Sequence, residues 1–176
     1  IRKEGSSLIP RPGHDPDYDW EGRVPFKEMP YLFNPESGYI ATANNKTIDD
    51  TFPYYISGLW ADPSRAQQIV SRLDTLSTAS VDDMKSVQLD YTSLFAKEIT
   101  PYFLTVNITE ENEKINKSMK ILTDWNFIET PDSKGALIFH SVLRQLVIEL
   151  FGDELSLLGD KYLEAFTSMK YLHSRS

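Results

Sequence analysis

"LWADPSRAQQI", residues 59–69, is where the chain changes character. Asp62 followed by Pro63 is an N-cap with proline at the first helical position. Ala66, Ile69, Val70, Leu73 and Leu76 then recur at helical spacing. On the other side, residues 1–61 hold seven of the ten prolines, at 10, 12, 16, 25, 30, 35 and 53, and two of the three tryptophans. That density of proline forbids long helices. The junction therefore predicts a mainly α fold. Residues 62–176 form a helical domain, and residues 1–61 form a Pro/Gly-rich irregular segment with short strands near residues 6–10 and 38–43.

Further helices follow from caps and periodicity. Ser80-Val81-Asp82-Asp83 caps a helix with acids in its first turn, where the helix dipole favours them. Met84, Val87, Tyr91, Leu94 and Phe95 continue on one face until Pro101 ends or kinks it. Thr109 with Glu110 and Glu111 opens another, carrying Ile115, Met119 and Leu122. Leu137, His140, Leu143, Val147 and Leu150 mark a strongly apolar helix punctuated by Gly152 and Gly159. Tyr162, Phe166, Met169 and Leu172 mark a last one. Trp20, Trp60 and Trp125 read as large core anchors.

The chain of 176 residues is 40% hydrophobic and 25% charged, ordinary for a globular protein. Its net charge of −8, with no basic stripe to offset it, argues against a nucleic-acid or anionic-membrane partner. The absence of cysteine excludes disulfides, thiolate metal sites and cysteine nucleophiles within this chain. No apolar run approaches the roughly 20 residues of a transmembrane helix, and no secretory signal stands out. A first residue of Ile1 rather than Met fits a chain processed or cut from something longer.

One stretch in the irregular part poses a functional question: "GYIATANNK", residues 38–46. Adjacent asparagines mark a turn, because Asn tolerates the left-handed conformation and bonds its own backbone. An asparagine amide is also a neutral donor able to face developing negative charge. Asn45-Lys46-Thr47, Asn107-Ile108-Thr109 and Asn116-Lys117-Ser118 fit the glycosylation pattern as well, a pattern common by chance.

The surroundings of this stretch resemble a known family. "IPRPG" at 9–13, "YDWEGRVPFKEMPYLFNPESGYIATANNK" at 18–46 and "LWADPSRAQQI" at 59–69 carry the resemblance. They follow the order of fixed residue types found in the penicillin acylases (penicillin amidases), which are N-terminal nucleophile hydrolases. "LTDWNFIETPDSKGALIF", 122–139, is similar to the family's Trp-centred segment before a long helix. The resemblance implies a self-cleaving precursor whose second chain begins with the nucleophile, usually a serine acting through its own α-amine. It implies that the first Asn of the pair, here Asn44, donates its side-chain amide to the oxyanion. It also implies that Arg65 helps to organise the site.

In the family the nucleophile lies far upstream of the Asn pair. Only 43 residues precede Asn44 here, and Ser6, Ser7 and Ser37 are internal. The expectation is an interior piece of the second chain, inactive alone, whose partners are the first chain and the nucleophile-bearing part of its parent. The expected substrate is a small N-acyl amide such as a penicillin, with N-acyl-homoserine lactones also open. No cofactor is expected. Relatives with a structural calcium carry an acid where Tyr54 stands here. A calcium in the full-length protein is therefore left open, and none is expected from this chain, although Asp49 and Asp50 lie nearby.

Relatives place the parent in the bacterial periplasm or outside the cell. A different class of reading is a stand-alone, non-catalytic helical binding module related to the acylases. Taken residue by residue, Arg65 reads as a solvated surface residue, His140 as a core or edge residue, and His14 and His173 as exposed. Asp15, Asp17 and Asp19 alternate, but lack the Gly and distant Glu of a calcium loop.

Overall fold

The computed structural model describes residues 10–108, 112–159 and 161. It contains five α-helices: α1 (Ser64–Leu73), α2 (Val81–Gln88), α3 (Leu94–Leu104), α4 (Glu113–Thr123) and α5 (Lys134–Leu158). The helical segments among the described residues before α1 are two single-turn 3₁₀ segments, Pro16–Tyr18 and Phe26–Glu28. The mainly helical expectation is met. The short strand expected at residues 38–43 does not form, and residues 6–9 lie outside the described residues. A strand needs a neighbouring ladder. The Ala43 N–H is instead taken by the Asn45 side chain, and the Asn44 carbonyl by the Ala61 N–H.

The helix starts follow local chemistry. Asp62 Oδ1 accepts the Ser64 N–H at 2.9 Å, so α1 begins one residue later than Pro63. Ser80 and Asp83 form a reciprocal capping box at α2, with Asp82 and Asp83 in its first turn. Ser93 caps α3, Asn112 caps α4 and Ser133 caps α5. Such caps each contribute about 1 kcal/mol. Thr109, Glu110 and Glu111 lie outside the described residues, as does the expected last helix with Tyr162, Phe166, Met169 and Leu172, and His173 beyond it.

Several expectations are corrected. The helix expected to run from Val81 past Phe95 is two helices, α2 and α3. The break is held by long-range bonds: the Ser93 N–H donates to the Phe127 carbonyl and the Glu129 N–H to the Tyr91 carbonyl, both at 2.9 Å, around a Thr92–Ile128 bridge. Pro101 lies inside α3, which continues to Leu104. Gly152 lies inside α5, whereas Gly159, at φ 108°, does end it. In addition, α5 is long and apolar enough to cross a membrane by length and composition, with a mean hydropathy of 1.3, although no such run was expected. Its N-terminal half supplies Ala136 and Phe139 to the core.

That core lies between α3, α4 and α5. Phe139 is fully buried and meets Phe95, Phe103 and Trp125, with ring centroids 5.5–6.0 Å away. Ala96, Leu122 and Ala136 complete the buried centre. Burying one Phe side chain contributes about 1.5–3 kcal/mol. Trp125 packs over Gly135, where an added Cβ would lie 2.2 Å from the indole Cγ. Of the three tryptophans, only Trp125 is buried; Trp60 is half-buried and Trp20 is 66% exposed.

Candidate active site

Residues 38–46 lie along α1 and are fastened at both of its ends. At the C-terminal end, the Tyr39 hydroxyl donates to Asp74 Oδ1 at 2.6 Å. At the N-terminal end, Arg65 donates through one terminal nitrogen to the Ala43 carbonyl at 2.9 Å and to Asn44 Oδ1 at 2.8 Å. The reach suffices: five residues from Tyr39 to Asn44 can span at most roughly 17 Å. Nine helical residues from Arg65 to Asp74 rise roughly 14 Å. The Ala61 N–H closes the turn on the Asn44 carbonyl at 2.8 Å.

The two asparagines divide the work. Asn45 is half-buried; its Oδ1 accepts the Ala43 N–H at 3.0 Å and its amide donates to the Lys46 carbonyl at 3.1 Å. Asn45 is thus the turn residue. Asn44 is exposed and stands at φ 61°, a left-handed conformation that asparagine tolerates better than most residues. Arginine has donors only, so the atom of Asn44 that faces Arg65 is the oxygen. The Nδ2 group then points away from Arg65, and it has no hydrogen-bond partner among the described residues. The cation at Oδ1 draws electron density from the amide and strengthens Nδ2–H as a donor.

Sequence reasoning singled out both Asn44 and Arg65, and the fold brings them together. Arg65 is exposed, as a solvated surface residue would be, yet its guanidinium is committed to the Asn44 loop. Sequence reasoning missed Tyr39 and Asp74. The one available signal was an acid at the C-terminal end of a helix, where the dipole disfavours it.

A recess of about 200 Å³ adjoins Arg65 on its α3 side, lined by Ser64, Asp90, Tyr91, Leu94 and Glu129 among others. Asp90 accepts from Gln68 Nε2 and from the Thr92 N–H, each at 2.9 Å, and lies 3.6 Å from Arg72 Nε. Burial pushes its carboxyl up, but the hydrogen bonds from Thr92 and Gln68 and the charge of Arg72 bring it below the ordinary value. Glu129 pairs with His140 at 3.1 Å, in keeping with an edge role for that histidine.

The other carboxylates considered as cation ligands serve local turns. Asp15 accepts the Asp17 N–H, Asp19 the Trp20 N–H, and Asp49 the Thr51 N–H and hydroxyl. Tyr54 donates its hydroxyl to Glu28. His14 is exposed.

The sequence matches the Penicillin amidase family over residues 1–175, and the chain belongs to that family. It is 28% identical to the acyl-homoserine lactone acylase QuiP of Pseudomonas fluorescens (strain Pf0-1), over 94% of this chain and 22% of the relative. It is 33% identical to the penicillin acylase 2 proenzyme of Pseudomonas sp. (strain SE83), over 51% of this chain and 12% of the relative. The penicillin G acylase of Escherichia coli is 28% identical over 70% of this chain and 16% of the relative. The chain thus spans about a fifth or less of the length of these relatives.

Proposed function

We propose that this chain is the oxyanion-donating part of an acylase that hydrolyses the amide of an N-acylated substrate, a penicillin or an acyl-homoserine lactone among them. The names of the relatives support the reaction class. The observation that carries the role of Asn44 is its geometry: Oδ1 is held by Arg65 at 2.8 Å and Nδ2 is left available.

In this reading the attacking group comes from the remainder of the parent, as does a second oxyanion donor. As the nucleophile adds to the acyl carbon, the carbonyl oxygen gains negative charge. Asn44 Nδ2–H donates to that oxygen and loses the contact when the carbonyl re-forms and the amine leaves. Arg65 keeps the amide turned the right way without touching substrate. Residues 1–61 belong to the catalytic layer and pack on the rest of the parent. The exposure of Phe26, Tyr31, Phe33 and Leu59, with Phe26 at 92% and Phe33 at 88%, supports this. The 176 residues alone then have no amidase activity.

The test uses the full-length parent. Asn44→Ala and Asn44→Asp should each lower kcat by roughly 100-fold or more, the typical cost of one lost oxyanion donor. The aspartate adds repulsion between like charges. Asn45→Ala should cost far less. Equal losses at both positions would point to general collapse of the loop and contradict the assignment.

A further inference from the structure

The residues nearest Asn44 account for its orientation, but not for the register of the run that leads to it. That run has a second anchor. The Tyr39 hydroxyl meets Asp74 Oδ1 at 2.6 Å, across 35 residues of sequence, at the opposite end of α1 from Arg65. Asp74 is the C-cap of α1 and is exposed. An acid there faces the negative end of the helix dipole, so it gains nothing from its own helix. The pair is exposed, so solvent screens the charge and the bond acts chiefly by fixing geometry. The pull of Asp74 on the phenol proton also raises the tyrosine above its ordinary value, chiefly through the hydrogen bond itself.

Without this bond, the run is tied to α1 only at its Ala43–Asn44 end, because it forms no strand and joins no ladder and the Ser37 hydroxyl on the Tyr39 carbonyl is a bond within the same segment. The slack would be taken up at the other end, by the Arg65 contacts. An oxyanion donor is sensitive to such slack, since a displacement of about 1 Å can cost on the order of 100-fold in rate.

We propose that Tyr39 and Asp74 are positioning residues for the candidate oxyanion site, clamping residues 39–44 along α1 so that the Asn44 amide holds its place. This rests on the proposed role of Asn44. Neither residue touches substrate. The clamp acts on the transition state alone, so its loss should appear in kcat and leave KM nearly unchanged.

The experiment is a double-mutant cycle in the full-length parent, with Asn44→Gly measured beside it. Tyr39→Phe removes one oxygen and keeps the ring. It should lower kcat roughly five-fold, the scale of one lost hydrogen bond transmitted to a donor. Asp74→Ala should do the same, and the double variant should be no worse than either single one. Asp74→Asn keeps Oδ1 as an acceptor and should retain near-normal kcat. It should also melt at a slightly higher temperature, since the charge opposed to the helix dipole is gone.

Normal kcat in Tyr39→Phe beside a crippled Asn44→Gly would overturn the clamp alone. So would losses that multiply in the double variant, or a loss in Asp74→Asn equal to that in Asp74→Ala. Normal kcat in Asn44→Gly would overturn the oxyanion reading itself, and the clamp with it.

Discussion

Arg65 and Asn44, 21 residues apart, meet through a 2.8 Å hydrogen bond from guanidinium to amide oxygen. The same terminal nitrogen also holds the Ala43 carbonyl at 2.9 Å. A donor-only side chain on the oxygen side leaves the amide nitrogen of Asn44 as the group presented outward. An exposed arginine and an asparagine in a left-handed turn, each unremarkable alone, thereby become one hydrogen-bonded arrangement, the one on which the proposed oxyanion role rests.

The packing of Trp125 against α5 sets the first expected outcome. A methyl group at position 135 would lie 2.2 Å from Cγ and 2.6 Å from Cδ1 and Cδ2 of that indole. Gly135→Ala should therefore destabilise the protein by about 1–3 kcal/mol, although alanine is the better helix former. Urea denaturation measures this. An unchanged or raised midpoint would show that Trp125 does not sit over Gly135.

The half-buried carboxylate beside α1 sets the second. Asp90 has a side chain only 11% exposed, and its native carboxyl titrates below the ordinary value of 3.8. The stabilisation this represents is fully present above the unfolded value and is lost as pH falls through the native one. Asp90→Asn should thus be less stable than the parent sequence at about pH 6, and the gap should shrink as the pH is lowered below about 4. Denaturant midpoints across that range decide it. A gap that stays constant would mean that the charge of Asp90 contributes nothing to folding.

What the sequence made legible was local. The start of α1 at Asp62-Pro63 and the Ser80–Asp83 box rest on atoms within a few residues, so propensity and capping suffice. The break between α2 and α3 was not legible, because Ser93 and Tyr91 bond to residues 127 and 129, far along the chain. The absent strand at 38–43 has the same origin: alternation can suggest a strand, but a ladder partner decides it. Asn44 and Arg65 were legible only as parts of a family pattern. Their contact, and the Tyr39–Asp74 bond across 35 residues, needed the fold.

The role of Asn44 is tested most directly by Asn44→Gly in the full-length parent, assayed by steady-state hydrolysis of an N-acyl amide. Glycine accepts φ 61° without strain, so this variant removes the amide and spares the backbone, whereas alanine would disturb both. In protein that folds normally, kcat should fall roughly 100-fold or more, with a much smaller change in KM. A folded Asn44→Gly parent with near-normal kcat would contradict that role and leave residues 38–46 as a turn held against α1.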